Sequence, residues 1–594
     1  MNIIIVDTGV NINHKKFIDD DITGYGFSNG ELNNDCHDNF GHGTSIYGII
    51  RECADLCNII NIKLSDNDEH IEVDDLIDLL HYININMSAD IINLSLGISL
   101  CDKYDDLYNI CDILYKKGVI IVSAFDNFGS MSYPAAFDNT IGVVSGDNCK
   151  SKTDFEYYDD DIINIGGKGN LQKLCWTTPE HLILEGNSYA CAHVCVQIVK
   201  FMNGGCKGKK DILSMFNKIS KFKYKFPAYN KRQRLFSIDK AALFPFNKEI
   251  HSLVRYSSLL DFKITDIYDT KYSANINMST VTILNDDTVQ NLYIKNINNI
   301  NWDDIDTLIL GHLDELSGLI NKKTLKEQII SQALENNKNI YSFDPVFIQD
   351  VPESGKIFFP YIDEADLPPN RLGKLFRVSK PVVGIFGTSS RQGKFTLQLK
   401  LRELFLKKGY YIKQLGTEPS ALLYGMDCVF PMGYNSSVHI KEYDAIRYLN
   451  FQINELSKEK CDIIIVGSQS GTVTFDTGNI SQFTVSPYNF LMGTMPDIVI
   501  LCVNPFDDLD YIERTINFIN SGIETEVFAL ALFPMDIKDS WASMYGSKEK
   551  LSDEKYIKIK DILERKFNMN IYKIGDEDDM NKLMLSIIDY FSEI

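Results

Sequence analysis

Three short stretches carry residue types that could work together in nucleophilic catalysis with a general base. Asp7-Thr8-Gly9 follows the apolar run Ile3-Ile4-Ile5-Val6, and Gly41-His42-Gly43-Thr44 opens a helical pattern. Gly186-Asn187-Ser188-Tyr189-Ala190-Cys191-Ala192-His193 is a small-residue turn that runs into an apolar helix ending at Gly204-Gly205. A serine at a helix start is surrounded by backbone N–H groups and the positive end of the helix dipole, which suits a developing oxyanion. Taken alone, Ser188 reads better as an ordinary N-cap of a buried helix. Asp7 and His42 change that reading. An imidazole can take the hydroxyl proton of a serine, and a carboxylate can hold that imidazole in one tautomer and stabilise the imidazolium. In chain order the three are Asp, His and Ser, each at the end or start of a regular element.

This order and these motifs resemble the subtilisin-like serine protease family, the subtilases. Tyr133-Pro134-Ala135 and Ile141-Gly142-Val143 extend the resemblance over nearly all of residues 1–244. It implies Ser188 as nucleophile, His42 as general base and Asp7 as its orienting carboxylate. Asn127, in Ser123-Ala124-Phe125-Asp126-Asn127, matches the family's side-chain oxyanion donor, with the Ser188 N–H as the second. Asn93-Leu94-Ser95-Leu96-Gly97 resembles the strand that pairs with an extended peptide, so Ser95, Leu96, Gly97, Ala124, Phe125 and Asp126 are the implied substrate-binding positions. Several residues depart from the family. Asn187 and Ala192 stand where threonine and proline are usual, which concerns the tightness of the nucleophile turn. Phe125 and Asp126 replace small residues, predicting a narrowed pocket and, through Asp126, a preference for a basic side chain. The secreted members carry an N-terminal prodomain; this chain begins at the first strand, so the domain is expected either to fold unaided or to be restrained by another part of the chain or a partner. No calcium site can be assigned.

Positioning these residues takes a regular scaffold. Apolar runs at Ile3–Val6, Ile59–Leu64, Ile91–Leu96, Val119–Ala124 and Ile141–Val144 alternate with amphipathic segments such as Val73–Tyr82. That alternation predicts a parallel α/β sheet covered by helices on both faces. Active sites in such sheets lie at the carboxyl ends of strands, where Asp7 and Asn127 fall.

With 594 residues the chain should hold about three to five domains. Its net charge of -22 argues against a general nucleic-acid or anionic-membrane surface, since both need clustered lysine and arginine. The absence of a basic n-region, a cleavage-site pattern and a bilayer-length apolar stretch predicts a cytoplasmic protein. The 13 cysteines are odd in number and mostly in apolar contexts, so they read as reduced thiols. Cys53 with Cys57, and Cys191 with Cys195, read as helix-spaced core pairs rather than metal ligands.

Phe244-Pro245-Phe246 marks a break, after which residues 245–379 read as a small Rossmann-like domain plus linker. Its strand candidates are Val281-Thr282-Ile283-Leu284, Thr307 to His312 and Asn339 to Phe343, with a helix over Lys323 to Asn336. No Gly-x-Gly-x-x-Gly follows any of these runs, so no dinucleotide is indicated. His312, Asp314 and Glu315 read as a solvated helix start. Pro352, Pro360 and Pro368-Pro369 mark the stretch up to Lys380 as linker.

Residues 380–594 read as a P-loop NTPase-like domain. The strand Val382-Val383-Gly384-Ile385-Phe386-Gly387 leads into Thr388-Ser389-Ser390-Arg391-Gln392-Gly393-Lys394-Phe395-Thr396 and a helix. Gly387, Thr388, Gly393, Lys394 and Thr396 are the candidate nucleotide-binding residues: backbone N–H groups and a helix N-terminus for phosphates, Lys394 for their charge, Thr396 for Mg²⁺. Phe395 stands where the strict motif has Ser or Thr, so the loop looks more like the Gly-Thr-x-x-x-x-Gly-Lys loops of dethiobiotin-synthetase-type enzymes. The strand Asp462 to Gly467 ends on glycine where such proteins often carry an acid, which favours nucleotide binding over hydrolysis, with Glu418 as a substitute. Together the last two regions resemble a bacterial family of poorly defined function, and are similar to proteins of peptide-maturation systems in natural-product clusters.

The expected function is a cytoplasmic subtilisin-like serine endopeptidase working through an acyl-enzyme, needing no cofactor for proteolysis, fused to a module that could take ATP or another nucleotide with Mg²⁺. The expected substrate is a peptide or protein, specifically the leader of a ribosomally made peptide, with no nucleic-acid or membrane partner. The alternative is a peptide-holding scaffold with poor turnover, whose P-loop module acts as an ATP-dependent transferase, ligase or switch.

Overall fold

Ile3, Ile4, Ile5 and Val6 are all at most 1% exposed, as a central parallel strand covered on both faces requires. Their side chains alternate between two cores. Ile3 and Ile5 pack with residues of the Gly43–Ile50 and Ala190–Phe201 stretches on one face. Ile4 and Val6 pack with residues of the Val73–Asn86 and Tyr104–Lys116 helices on the other. Each such buried aliphatic side chain contributes roughly 1.5–3 kcal/mol.

The computed structural model describes residues 1–594 except 67–70, 228, 230–234, 272, 314–321, 347–355, 434–435, 479–484, 539–546 and 593–594. The chain forms two compact units, Met1–Ala228 with Pro368–Ser379, and Tyr229–Leu367 with Lys380–Ile594.

The first unit is built on a ten-stranded sheet. Strands Thr23–Ser28, Asn58–Lys63, Asn2–Asp7, Ile91–Leu94, Ile120–Ala124 and Ile141–Ser145 lie side by side, all parallel. Five of them reproduce the predicted runs with ends shifted by a residue or two, and Thr23–Ser28 is a strand the sequence reading did not name. Antiparallel pairings are confined to the margins, at Glu31–Asn33 and at Glu156–Asp159 against Ile165–Gly167. The helices His42–Ile50 and Asn187–Asn203 begin with His42 and one residue before Ser188, respectively. The Pro368–Ser379 stretch, read from its prolines as linker, packs within this unit. Arg371 makes two bonds to the Asp160 carboxylate (2.8 and 2.9 Å), and the Met131 N–H donates to the Leu375 carbonyl at 2.9 Å.

The second unit holds two all-parallel sheets. Six strands run in the order Ile294–Asn296, Lys263–Asp269, Lys240–Phe244, Thr307–Leu310, Asn339–Ser342 and Ile357–Phe358. The boundary expected at 244 therefore moves. Ala241 to Phe244 are fully buried and pair on both sides within this sheet, so the run closes nothing in the first unit. Val281–Leu284 is likewise corrected from strand to helix: Thr280–Leu284 is one helical turn, capped by the Ser279 side chain, which accepts from Thr282 N–H, and ended by Asn285 at φ 49. Capping at both ends outweighs the β-branched preference of a run this short. The seven-stranded sheet runs Cys428–Val429, Ile412–Gly416, Ile463–Gly467, Val382–Gly387, Ile498–Val503, Glu526–Leu532 and Asn570–Lys573. Side chains from both halves, Ile250, Ile309 and Tyr341 with Leu399, Leu423 and Tyr424, share one core. Among the described residues no helix is long and apolar enough to cross a membrane.

Candidate active site and phosphate loop

Asp7 ends the central strand, and His42 begins the helix that packs on it. His42 Nδ1 lies 2.7 Å from Asp7 Oδ1, with both side chains about 5% exposed. That contact fixes the ring and leaves Nε2 on the opposite edge. Asp7 Oδ1 also accepts from the Thr8 N–H at 2.8 Å. The close approach of the helix to the strand end depends on Gly43, because a Cβ there would lie 2.2 Å from the Gly9 carbonyl.

A residue that the sequence reading missed anchors this corner. Asp38 is fully buried and accepts five hydrogen bonds: from Thr8 Oγ1, the N–H groups of Phe40, Gly41 and Thr44, and Thr44 Oγ1, at 2.6–3.0 Å. It gathers the N–H groups of the turn that presents His42 and, through Thr8, links them to Asp7. The Asp38-x-x-Gly41-His42 spacing, an acid just before a helix, was the available signal.

Ser188 stands in the first turn of its helix and is 8% exposed. Its hydroxyl donates to the Ser95 carbonyl at 2.8 Å. Asn127 reaches the same turn, its Oδ1 accepting from the Asn187 N–H at 2.8 Å and its Nδ2 close to Gly186. Asn187, the departure that put the turn in doubt, ties it down. Its Oδ1 accepts from the Ser145 N–H at 2.6 Å and its Nδ2 donates to the carbonyls of Phe125 and Asp126 at 2.9 and 3.0 Å.

Ser95, Leu96 and Gly97 continue past the Ile91–Leu94 strand, and Ile98 pairs with Tyr133. A Cβ on Gly97 would lie 2.7 Å from Ser132 Oγ and 2.9 Å from the Ala124 carbonyl, so this stretch and Ala124 face each other closely. Phe125 does not narrow the space between them. It is 2% exposed with its ring turned against the backbone of Gly142, into room that only a glycine leaves. Asp126 is half-buried, its carboxylate accepting from the Phe128 N–H. Lys374 Nζ sits 5.4 Å from the Phe125 ring centroid; burial lowers its pKa, opposed by the nearby charge of Asp126.

All 13 cysteines are free. Cys191 and Cys195 lie in the core, each sulfur 3.2 Å from Asn93 Nδ2. His14, Cys175 and His181 bring potential ligand atoms within 4.8 Å of one another. Both ring nitrogens of His14 are already engaged, Nδ1 by the Lys16 N–H and Nε2 by the Glu180 carbonyl.

In the second unit the loop between the Val382–Gly387 strand and the Lys394–Lys407 helix has Gly393 at φ 75 and Arg391 at φ 60. Lys394 Nζ donates to the carbonyls of Ser389 (2.6 Å) and Ser470 (2.9 Å), and burial pushes its pKa down to about 8. Gln392 Oε1 accepts from the Ser389 N–H at 2.9 Å, while Thr388 Oγ1 bonds Asp507. The lysine, glycine and loop fit a phosphate. Mg²⁺ ligation fits less well. The Thr396 hydroxyl, the expected ligand, accepts from Tyr256 at 3.1 Å. At Gly467, Gln398 Nε2 lies 1.7 Å from where a Cβ would stand, so an acid there would require the Gln398 side chain to move. Glu418 lies close enough to Lys394 to raise its pKa, and its own pKa is raised by burial.

His312 is no solvated helix start. It is 2% exposed, with Nδ1 2.6 Å from Asp344 Oδ1, whose other oxygen accepts from the Leu313 N–H. Asp314 and Glu315 lie outside the described residues. The pairing joins the ends of two neighbouring strands and could not be read from local sequence.

The subtilase family matches residues 1–204, and a P-loop domain described as a domain of unknown function, DUF1611_C, matches residues 371–566. Thermitase of Thermoactinomyces vulgaris is 28% identical over 206 residues, covering 32% of this chain and 71% of thermitase. A thermophilic serine proteinase of Bacillus sp. (strain AK1) is 30% identical over 205 residues, 32% of this chain and 49% of that protein. The chain thus spans about half the length of that relative, as it does of subtilisin-like protease 2 of Trichophyton rubrum. Among solved structures, a cold-adapted subtilisin-like serine proteinase aligns at 19% identity and TM-score 0.30, over 36% of this chain and 81% of that one. A DUF1611 family protein from Anabaena variabilis aligns at 13% identity and TM-score 0.45, over 59% of this chain and 99% of that one. The chain therefore carries a subtilase-family domain at its N-terminus and a DUF1611 P-loop domain at its C-terminus.

Proposed function

We propose that the first unit is a serine endopeptidase. The observation that carries this reading is the 2.7 Å contact of His42 Nδ1 with Asp7, on a sheet whose strand ends also hold Asn127 and the Ser188 turn. Ser188 Oγ leaves the Ser95 carbonyl, gives its proton to His42 Nε2 and attacks the peptide carbonyl. Asn127 Nδ2 and the Ser188 N–H receive the oxyanion, and His42 protonates the departing amine, leaving an ester on Ser188 that water hydrolyses. An extended peptide lies along Ser95–Gly97, with the side chain before the cleaved bond between Gly97 and Ala124–Asp126, Asp126 favouring a basic one. The substrate is a peptide precursor, cleaved to remove its leader. In the second unit Lys394 and the 388–393 loop hold the phosphates of a nucleotide; bound there, a nucleotide supplies a phosphoryl or nucleotidyl group, or the signal of a switch.

Active-site titration tests the first part. An activated ester should release a burst of product equal to the enzyme present, and Ser188→Ala should release none; no burst from the wild type rejects the acyl-enzyme. A second reading, a peptide-holding scaffold, is favoured by one observation, the Ser188 hydroxyl donating to Ser95 rather than to His42. Peptide binding without a burst, unchanged in Ser188→Ala, selects it.

A further inference from the structure

A pocket of about 500 Å³ opens on the first unit beside the two helices that present His42 and Ser188. Ser45, Gly48 and Ile49 of the His42 helix, His193 of the Ser188 helix and Cys175 form its inner wall. Ser45 is three positions after His42 and His193 five after Ser188, so the pocket begins roughly 5–8 Å along each helix from the candidate catalytic groups. Around the mouth stand Lys16, Lys150, Lys152, Lys168 and Lys173, and a single carboxylate, Glu52.

This composition runs against that of the chain as a whole, whose net charge is -22. Glu52 is consumed by Lys152, with both oxygens 2.9–3.0 Å from Nζ. Among the described residues the other four lysines have no acidic partner within ion-pair distance. These four ammonium groups gathered around one concavity repel one another, with no carboxylate among the described residues paired to them. The polar wall behind them is fixed: His193 Nε2 is 2.9 Å from Gln172 Oε1, and Gln172 Nε2 donates to the Lys168 carbonyl. Burial pushes the His193 pKa down to about 4, with Glu52 opposing the shift and Lys168 and Lys152 adding to it.

We propose that this pocket binds a compact polyanion of the phosphate class, an oligophosphate or the phosphate tail of a nucleotide. Its volume is that of a small-molecule site. A long nucleic acid would have to extend beyond the pocket over a protein whose net charge is -22, at a cost. A ligand here would bridge the two helices that carry the candidate base and nucleophile.

The test is calorimetric titration of the full-length protein with tripolyphosphate, in a Lys394→Ala background that silences the phosphate loop of the other unit. One equivalent should bind. Lys168→Glu/Lys173→Glu should weaken binding at least about tenfold, whereas Lys168→Arg/Lys173→Arg should stay within about threefold, and added salt should weaken all of them. Failure to bind in the Lys394→Ala protein, or an affinity that charge reversal leaves unchanged, overturns the proposal. So does a single-stranded oligonucleotide that outcompetes tripolyphosphate and is lost in the same variant. ATP distinguishes the two sources: affinity equal to that of tripolyphosphate means the phosphate chain alone is read, and tighter binding means the nucleoside is read as well. If thermal melting shows Lys394→Ala to be unfolded, the same comparison in the wild-type background should lose one equivalent on charge reversal; equal stoichiometry and affinity there reject the site.

Discussion

Asp38 and Asn127 make different demands at the candidate active site, and substitution separates them. Asp38→Ala leaves three N–H groups and two hydroxyls of the His42 corner without their acceptor. It should cost about 3 kcal/mol or more of stability, read as a fall in the thermal midpoint, because buried donors left unpaired pay their full desolvation. Asn127→Ala should spare stability and KM and lower kcat about a hundred- to a thousandfold, a magnitude established for this class of protease. Equal losses in KM would make Asn127 a substrate-binding residue instead. Lys394 carries a pH signature. Burial holds its pKa near 8, so the free side chain is charged below that pH and neutral above it. A phosphate favours the charged form, so affinity at the loop should fall as pH rises through 8. Binding at about pH 9 should take up protons, measurable by calorimetry in buffers of different ionisation enthalpy. No proton uptake would mean that the phosphate does not meet this lysine.

At the scale of elements, the Ile463–Gly467 strand and the Lys394–Lys407 helix meet so closely that Gln398 fills the space beyond Gly467. Gly467→Asp should therefore destabilise the second unit by about 1–3 kcal/mol rather than install a Mg²⁺ ligand. Adding Gln398→Ala should recover most of that loss; no recovery would place the strain elsewhere. Arg371 fastens the 368–379 stretch through Asp160, whose side chain is 6% exposed. Arg371→Ala leaves that carboxylate only the N–H groups of Ile162 and Ile163 and should cost about 1–3 kcal/mol, with earlier proteolytic nicking of the stretch. The central strands of the first sheet and the Asp7, His42 and Ser188 positions were legible because hydrophobic periodicity and turn chemistry are local. Asp38 was not, since an acid in a polar loop looks solvated until its five donors converge. The His312–Asp344 pair joins neighbouring strand ends, and the Pro368–Ser379 stretch looks like linker until Arg371 finds Asp160. Phe125 misled in the other direction: its bulk predicted a narrowed pocket, but the room left by Gly142 lets the ring turn inward.

For the whole molecule, the division into two units puts the candidate hydrolytic chemistry and the phosphate loop on separate cores, so each should survive the loss of the other. Lys394→Ala should leave Ser188 reactive, and Ser188→Ala should leave the loop's phosphate affinity unchanged. The most direct test of the account is intact-mass measurement of the full-length protein after treatment with a fluorophosphonate, with and without ATP and Mg²⁺. The account predicts one adduct per chain, located on Ser188 and absent in Ser188→Ala and Asp7→Ala. A folded wild-type protein that takes up no adduct in either nucleotide state, or one modified equally in Ser188→Ala, would contradict it.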